Sequence, residues 1–124
     1  MIEMEEKKTY FGFAIADSMF PAECGIVKKT ITAEVAKALV AQGVESCCNP
    51  SHVATISAAK QRFGIEVAIP EKPPQVAFLP GDRMIVMSVR GLPRLTDRHE
   101  YTEEEVAKAT FAFSVYTVQE EGRP

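Results

Sequence analysis

The stretch from Asn49 to Gly64 constrains the fold more than any other, because both of its ends are marked. Asn49 reads as an N-cap accepting a backbone N–H, and Pro50 at the first helical position gives up an N–H that has no helical partner anyway. Gly64 supplies the left-handed stop. Between them Val53, Ile56, Ala59 and Phe63 recur at helical spacing and form the expected core face. A helix with one apolar stripe must bury that stripe, and most of the neighbouring runs are β-tending.

Those runs come in order. "TYFGFAIA", Thr9 to Ala16, has the aromatic composition of a strand, "SMFPAECG" reads as a loop, and "IVKKTI" is a second extended run. "TAEVAKALVAQG" then reads as a helix with Thr32 as N-cap, Gly43 past its end and Val35, Leu39 and Val40 as its buried stripe. "VESCC" is short and β-tending. "IEVAI" reads as a strand and "PEKPP" as a stiff connector, while "QVAFL" and "RMIVMSVR" flank "PGD" as a hairpin would. After the irregular "GLPRLTDRHEY", Thr102 and Glu105 form a capping box for a short helix, and "FAFSVYTV" is the last strand. Helices alternating with strands, plus one hairpin, predict an α/β (α+β) fold: a single domain with a mixed β-sheet of about five strands flanked by helices. The expected domain runs from 9 to 118, between a disordered N-terminal tail over 1–8 and a polar C-terminal tail over 119–124.

At 124 residues the chain is long enough to bury a core without metal or disulfide staples. No apolar run approaches the ~20 residues that span a bilayer, and "MIEMEEKK" lacks the features of a signal peptide, so a cytoplasmic protein is expected. Three cysteines, two of them adjacent, fit reduced thiols better than a disulfide framework. The net charge of −3 argues against non-specific grip on long nucleic acid, whose affinity comes from Lys and Arg neutralising phosphates. Charge is unevenly spread, however: Arg83, Arg90, Arg94 and Arg98 face a single acid, Asp97, between residues 83 and 99. A small polyanion is a plausible ligand for such a region.

Cys47, Cys48 and His52 admit three chemistries. With His99 they have the donor types for zinc, but adjacent cysteines on a strand point to opposite faces and no CxxC spacing is present, so no metal and no cofactor is expected. A thiol nucleophile at a helix start is conceivable, yet nothing supplies the orienting third group. The bland alternative packs one cysteine in the core and the other under a helix. The third chemistry uses the helix start: with Asn49 as N-cap, His52 occupies the third helical position beside outward N–H groups that favour phosphate. The same helix end lowers the imidazole's proton affinity and a bound phosphate restores it, so His52 can protonate an alkoxide leaving phosphorus. Thr55, three residues on, shares its face. A solvated surface histidine is the plain alternative.

"TYFGFAIADSMF", "SHVATI" and "GIEVAI", followed by "VAFLPGDRMIVMSVRG" and "PRLTD", resemble in order and spacing the viral anti-CRISPR ring nucleases, a family of archaeal viruses, phages and bacterial mobile elements. The resemblance rests on His52 with Thr55, Gly81 with Asp82, and Arg94-Leu95 with Asp97, and covers residues 9 to about 118. It implies a homodimer that binds cyclic tetra-adenylate, the second messenger of type III CRISPR defence, and cuts it without metal. A ribose 2′-hydroxyl attacks the adjacent phosphate and leaves a 2′,3′-cyclic phosphate. His52 would then be the general acid, Arg94 would hold the phosphate, and Asp97, where the family has Glu, would orient Arg94 or the 2′-hydroxyl. Candidate ligand-binding residues are Asp17, Ser18, Ser51, Thr55, Lys72 and Arg90. The chain departs from the family at Phe13 and Ala16, which replace Asn and Ser. Lys72-Pro73-Pro74 stands where Asn-Arg is usual, so Lys72 is the remaining cation there, and Ser51 replaces the glycine before the histidine. Two alternatives stay open: a non-catalytic binder of a cyclic oligonucleotide, and a protein-interaction module that shares the fold.

Overall fold

The computed structural model describes residues 8–48, 50–72, 74–93 and 101–119. The proposed cap Asn49, the candidate site residues Arg94 and Asp97, His99, and most of both expected tails lie outside the described residues. Among those described, five strands and three α-helices follow the order β1 (Thr9–Gly12), β2 (Ile26–Ile31), α1 (Ala33–Ala41), β3 (Glu45–Ser46), α2 (Val53–Phe63), β4 (Arg83–Arg90), α3 (Glu103–Lys108) and β5 (Thr110–Val118). No helix among them is long and apolar enough to cross a membrane.

The strands form one mixed sheet in the order β2-β5-β4-β1-β3. β1 runs parallel to both β3 and β4, whereas β5 is antiparallel to β4 and β2. The fold is thus the expected α+β domain. Because side chains alternate across a strand, the central strands feed two separate cores. Phe11, Ile85, Met87, Phe113 and Val115 pack with Ala36 of α1 and Ile56 and Ala59 of α2. Tyr10, Met84 and Val118 face the other way, where Phe78 covers them together with Ile15, Met19 and Phe20.

That second layer explains why the expected hairpin is absent. Residues 75–79 form no strand: Phe78 lies edge-on to Tyr10 at 5.4 Å and tilted on Phe20 at 4.9 Å, and its N–H donates to the Met19 carbonyl at 2.7 Å. β4 takes β1 and β5 as partners instead. The "PGD" turn closes onto both: the buried Asp82 carboxylate accepts the Lys8 N–H at 3.0 Å and the Leu79 N–H at 2.9 Å, while the Val118 N–H donates to the Asp82 carbonyl at 2.9 Å. Residues 65–69, the expected strand "IEVAI", likewise form no ladder. Ile65, Val67 and Ile69 still alternate inward onto the helix-side core, so the period-two pattern marks burial and not strand pairing.

The helices carry two register corrections. In α1 the buried residue is Ala36, with Leu39 and Val40 beside it, and Val35 is 45% exposed. In α2, Ile56, Ala58 and Ala59 are buried and Val53 is 48% exposed. Val53 loses its expected place because the helix begins later than the sequence suggests. Residues Pro50–His52 form a tighter 3-10 turn, which rotates the first α-helical residue out of the core stripe. Gly64 closes α2 in the left-handed region at φ 74°, as expected. α3 is tied to α2 by Arg62, whose guanidinium donates to the Val106 carbonyl at 3.1 Å and to the Ala109 carbonyl while lying over Phe63 and Phe111.

Candidate functional site

Three parallel strands, β1, β3 and β4, end on the same side of the sheet. In open sheets this carboxyl side is where ligands collect. The chain leaving β1 presents Phe13, and the chain leaving β3 runs through Cys47 and Cys48 into the turn Pro50–His52. Cys47 N–H donates to the Phe11 carbonyl at 2.8 Å, which carries the β1–β3 pairing one residue past the strand and keeps the two exits together.

The outcome is a ring pair. The Phe13 and His52 ring centroids are 4.4 Å apart with 44° between their planes, and Phe13 in turn stands edge-on to the fully buried Phe11 at 6.3 Å. His52 is the N-cap of α2, at φ −93° and ψ 2°, and its side chain makes no capping hydrogen bond. This corrects the expected third helical position, and the intervening 3-10 turn is the cause. Burial lowers the imidazole's proton affinity below its ordinary value. The direction matches the sequence argument, and its cause is loss of water around the ring.

The remaining candidates are distributed unevenly. Thr55 is half-buried on α2, three residues beyond His52, and Ser51 lies in the turn before it. Arg90 ends β4 and is exposed. Since Gly12 is paired with Val86, Arg90 begins about 13 Å further along the strand direction, four residues at roughly 3.3 Å each. Asp17 and Ser18 are exposed in the turn Asp17–Met19, on a segment whose apolar residues pack on the sheet face opposite α2. Lys72 is exposed in the connector after residue 70. Pro70 and Pro74, on either side of it, line a groove of about 370 Å³ with Val44, Glu45, Ser46, Ala68 and Ile69. That groove runs along the outer edge of β3 and contains none of the candidate residues, and no composition or motif signal announces it.

The cysteines behave as the bland reading requires. Cys47 belongs to the second core and Cys48 to the helix-side core, so the pair does point to opposite faces. Burial, reinforced by Cys48 and then Glu45, pushes the Cys47 thiol up to about 11. Burial also raises Cys48, partly offset by its hydrogen bond with Ser46. Both thiols therefore stay protonated near neutrality, which overturns the lowered thiol expected of a nucleophile at this helix start. Among the described residues, no three His, Cys, Asp or Glu side chains are grouped to hold a metal ion.

No protein-family model and no curated protein matches the chain. Among solved structures it is similar to B116 of Sulfolobus turreted icosahedral virus, with a TM-score of 0.64 over 89% of this chain and 98% of that one, at 15% sequence identity. At that identity the likeness is one of fold, and the fold is one that a virus uses.

Proposed function

We propose that this chain is a metal-independent ring nuclease of viral or mobile-element origin. Its substrate is a cyclic oligoadenylate second messenger, cyclic tetra-adenylate first among them, and it acts as a homodimer in the cytoplasm of the host. The observation that carries the reading is the position of His52: a part-buried imidazole at the start of α2, on the side of the sheet where three parallel strands end.

The chemistry follows from that position. The ribose 2′-hydroxyl oxygen attacks phosphorus, the bond from phosphorus to the 5′-oxygen breaks, and the leaving 5′-oxygen takes a proton from the His52 imidazolium. The products are a 2′,3′-cyclic phosphate and a 5′-hydroxyl, and the proton from the 2′-hydroxyl passes to Asp97 or to water. Arg94 holds the phosphate, with Thr55 and Ser51 beside His52 as the nearest further ligand contacts; Lys72, Arg90, Asp17 and Ser18 stand away from His52 and would reach only outlying parts of the ring. The lowered proton affinity of the free imidazole leaves it mainly neutral at pH 7, and the arriving phosphate recharges it, so acid and substrate appear together.

A second reading has one observation in its favour. An imidazole pressed against Phe13 and held neutral by burial is a poor acid until it is recharged, and a chain in which recharging fails binds the messenger without cutting it. Incubation with radiolabelled cyclic tri-, tetra- and hexa-adenylate in EDTA, wild type beside His52→Ala, separates the two. Cleavage that persists in EDTA and collapses in the variant supports the nuclease. Tight binding without cleavage supports the binder, and neither binding nor cleavage removes both.

A further inference from the structure

Phe13 is held more firmly than a residue just past a strand usually is. Gly12 before it sits close to its neighbours: a Cβ there would meet the end of the Met84 side chain and approach the Cys47 Cβ, so the backbone leaving β1 runs beside both β4 and the β3 exit. Phe11 and Phe13, two residues apart, lie on the same face of the strand, and both join the helix-side core. The edge-on contact at 6.3 Å and 83° fixes the Phe13 ring against a residue with no exposed surface. On its other side, 4.4 Å away, is the imidazole.

His52 has two side-chain torsions and a backbone conformation in the sparsely populated bridge region, set by the turn Pro50–His52. An imidazole has several staggered orientations in principle, and an aromatic wall removes those that point into it. With Phe13 in place, one flank of the ring is closed to water and to rotation, and a chain of contacts runs from Phe11 through Phe13 to the imidazole.

We propose that Phe13 is the positioning residue of His52, the wall that selects the orientation in which the imidazole meets its ligand. The inference rests on the ring-nuclease reading for its kinetic consequence but not for its physical one. A general acid displaced by about 1 Å from the leaving oxygen loses rate on the order of a hundredfold, while ground-state binding of the rest of the substrate is unaffected. Phe13 touches the acid and not the reacting atoms, so its loss falls on kcat and leaves KM in place.

The test uses the full chain with Phe13→Leu and Phe13→Tyr. The sequence has two histidines, so the His52 protons are assigned in the NMR spectrum by their disappearance in His52→Ala. In Phe13→Leu the His52 Hα–Hβ couplings change from those of a single staggered rotamer to an averaged value, and kcat on cyclic tetra-adenylate falls tenfold or more with KM unchanged; in Phe13→Tyr both return. Cleavage is followed well below the melting temperature of each variant, so a folding defect is not mistaken for a kinetic one. Wild-type couplings in Phe13→Leu overturn the proposal, as do averaged couplings with unchanged kcat. A wild type that cuts no ring removes the nuclease reading alone, and the Hα–Hβ couplings then decide whether Phe13 positions His52.

Discussion

The starts of α1 and α3 differ in kind from the start of α2. Thr32 accepts the Val35 N–H at 3.2 Å, and Thr102 and Glu105 close a reciprocal box at 3.1 and 2.9 Å. Both helices thus satisfy their own first turns with their own side chains. α2 is entered through a 3-10 turn, and the side chain at its N-cap position does not cap it. A cap is worth about 1 kcal/mol, and the residue at this N-cap position sets its ring against Phe13 instead of capping. The contrast separates two helix ends closed by their N-cap side chains from one whose N-cap side chain turns to a neighbouring ring.

The widest prediction sets one start against another. His52→Ala abolishes cleavage of cyclic tetra-adenylate by a hundredfold or more, the usual scale for a lost general acid, while the first-turn N–H groups of α2 lose no acceptor from its side chain. Thr32→Ala has the opposite profile, with cleavage intact and stability reduced by about 1 kcal/mol. Single-turnover cleavage and thermal unfolding on both variants check this. A His52→Ala protein that melts as early as Thr32→Ala while cutting normally would erase the distinction.

The next effect concerns the strand exit that leads into α2. With Cys47 raised to about 11, iodoacetamide at pH 8 modifies it about a hundredfold more slowly than an ordinary thiol of pKa near 8.5, since only the thiolate reacts. Cys24 is exposed and is labelled first. Peptide mapping over a time course reads the order. Rapid labelling of Cys47 in folded protein would show that the α2 start activates thiols after all and would reopen the nucleophile reading.

How far the site was legible depends on what kind of signal each residue gives. The caps at Thr32, Thr102 and Gly64 were readable because capping is a local rule in which a side chain meets a backbone group a few residues away. Opposite placement of Cys47 and Cys48 was readable from alternation alone. The run 65–69 shows the limit of that rule: its alternation reports which residues are buried, and a partner strand is a long-range fact that no local pattern carries. The hairpin around "PGD" failed for the same reason, because β1, more than 70 residues earlier, competes for the edge of β4 and wins, as the Lys8-to-Asp82 hydrogen bond records. Phe13 was legible as a strand residue but not as the neighbour of His52, since only the parallel pairing of β1 with β3 brings the two exits together.

Removing the box at α3 has a smaller effect. Thr102→Ala gives up the hydrogen bond from the Glu105 N–H to the Thr102 hydroxyl, while the backbone N–H at position 102 still reaches the Glu105 carboxylate, with a loss of about 1 kcal/mol and a melting temperature lower by several degrees. Thr102→Ser keeps the hydroxyl and stays near wild type. Urea titrations in which Thr102→Ala unfolded like wild type would mean that the cap adds nothing to α3.

The smallest effect is the pH dependence carried by His52. Its folded-state proton affinity is lowered, so between that lowered value and the ordinary 6.5 the unfolded chain binds more protons than the folded one. Stability therefore rises with pH across this window: it is intact above 6.5 and declines as acid drives a proton onto the part-buried ring. Carboxylates elsewhere add their own slopes at lower pH, but His52→Gln removes this one alone, and the difference between the two unfolding curves isolates it. The variant should lose less stability than wild type between pH 7 and pH 5.5. Cleavage obeys the same titration with the opposite benefit, because the acid is the protonated ring: kcat/KM falls as pH rises through the free imidazole's lowered value, while kcat holds to higher pH because bound phosphate raises it. A wild type whose stability declines towards acid no faster than His52→Gln would mean that the wall at Phe13 does not keep water from the imidazole, and the difference between the α2 start and the two capped ones would reduce to hydrogen bonding alone.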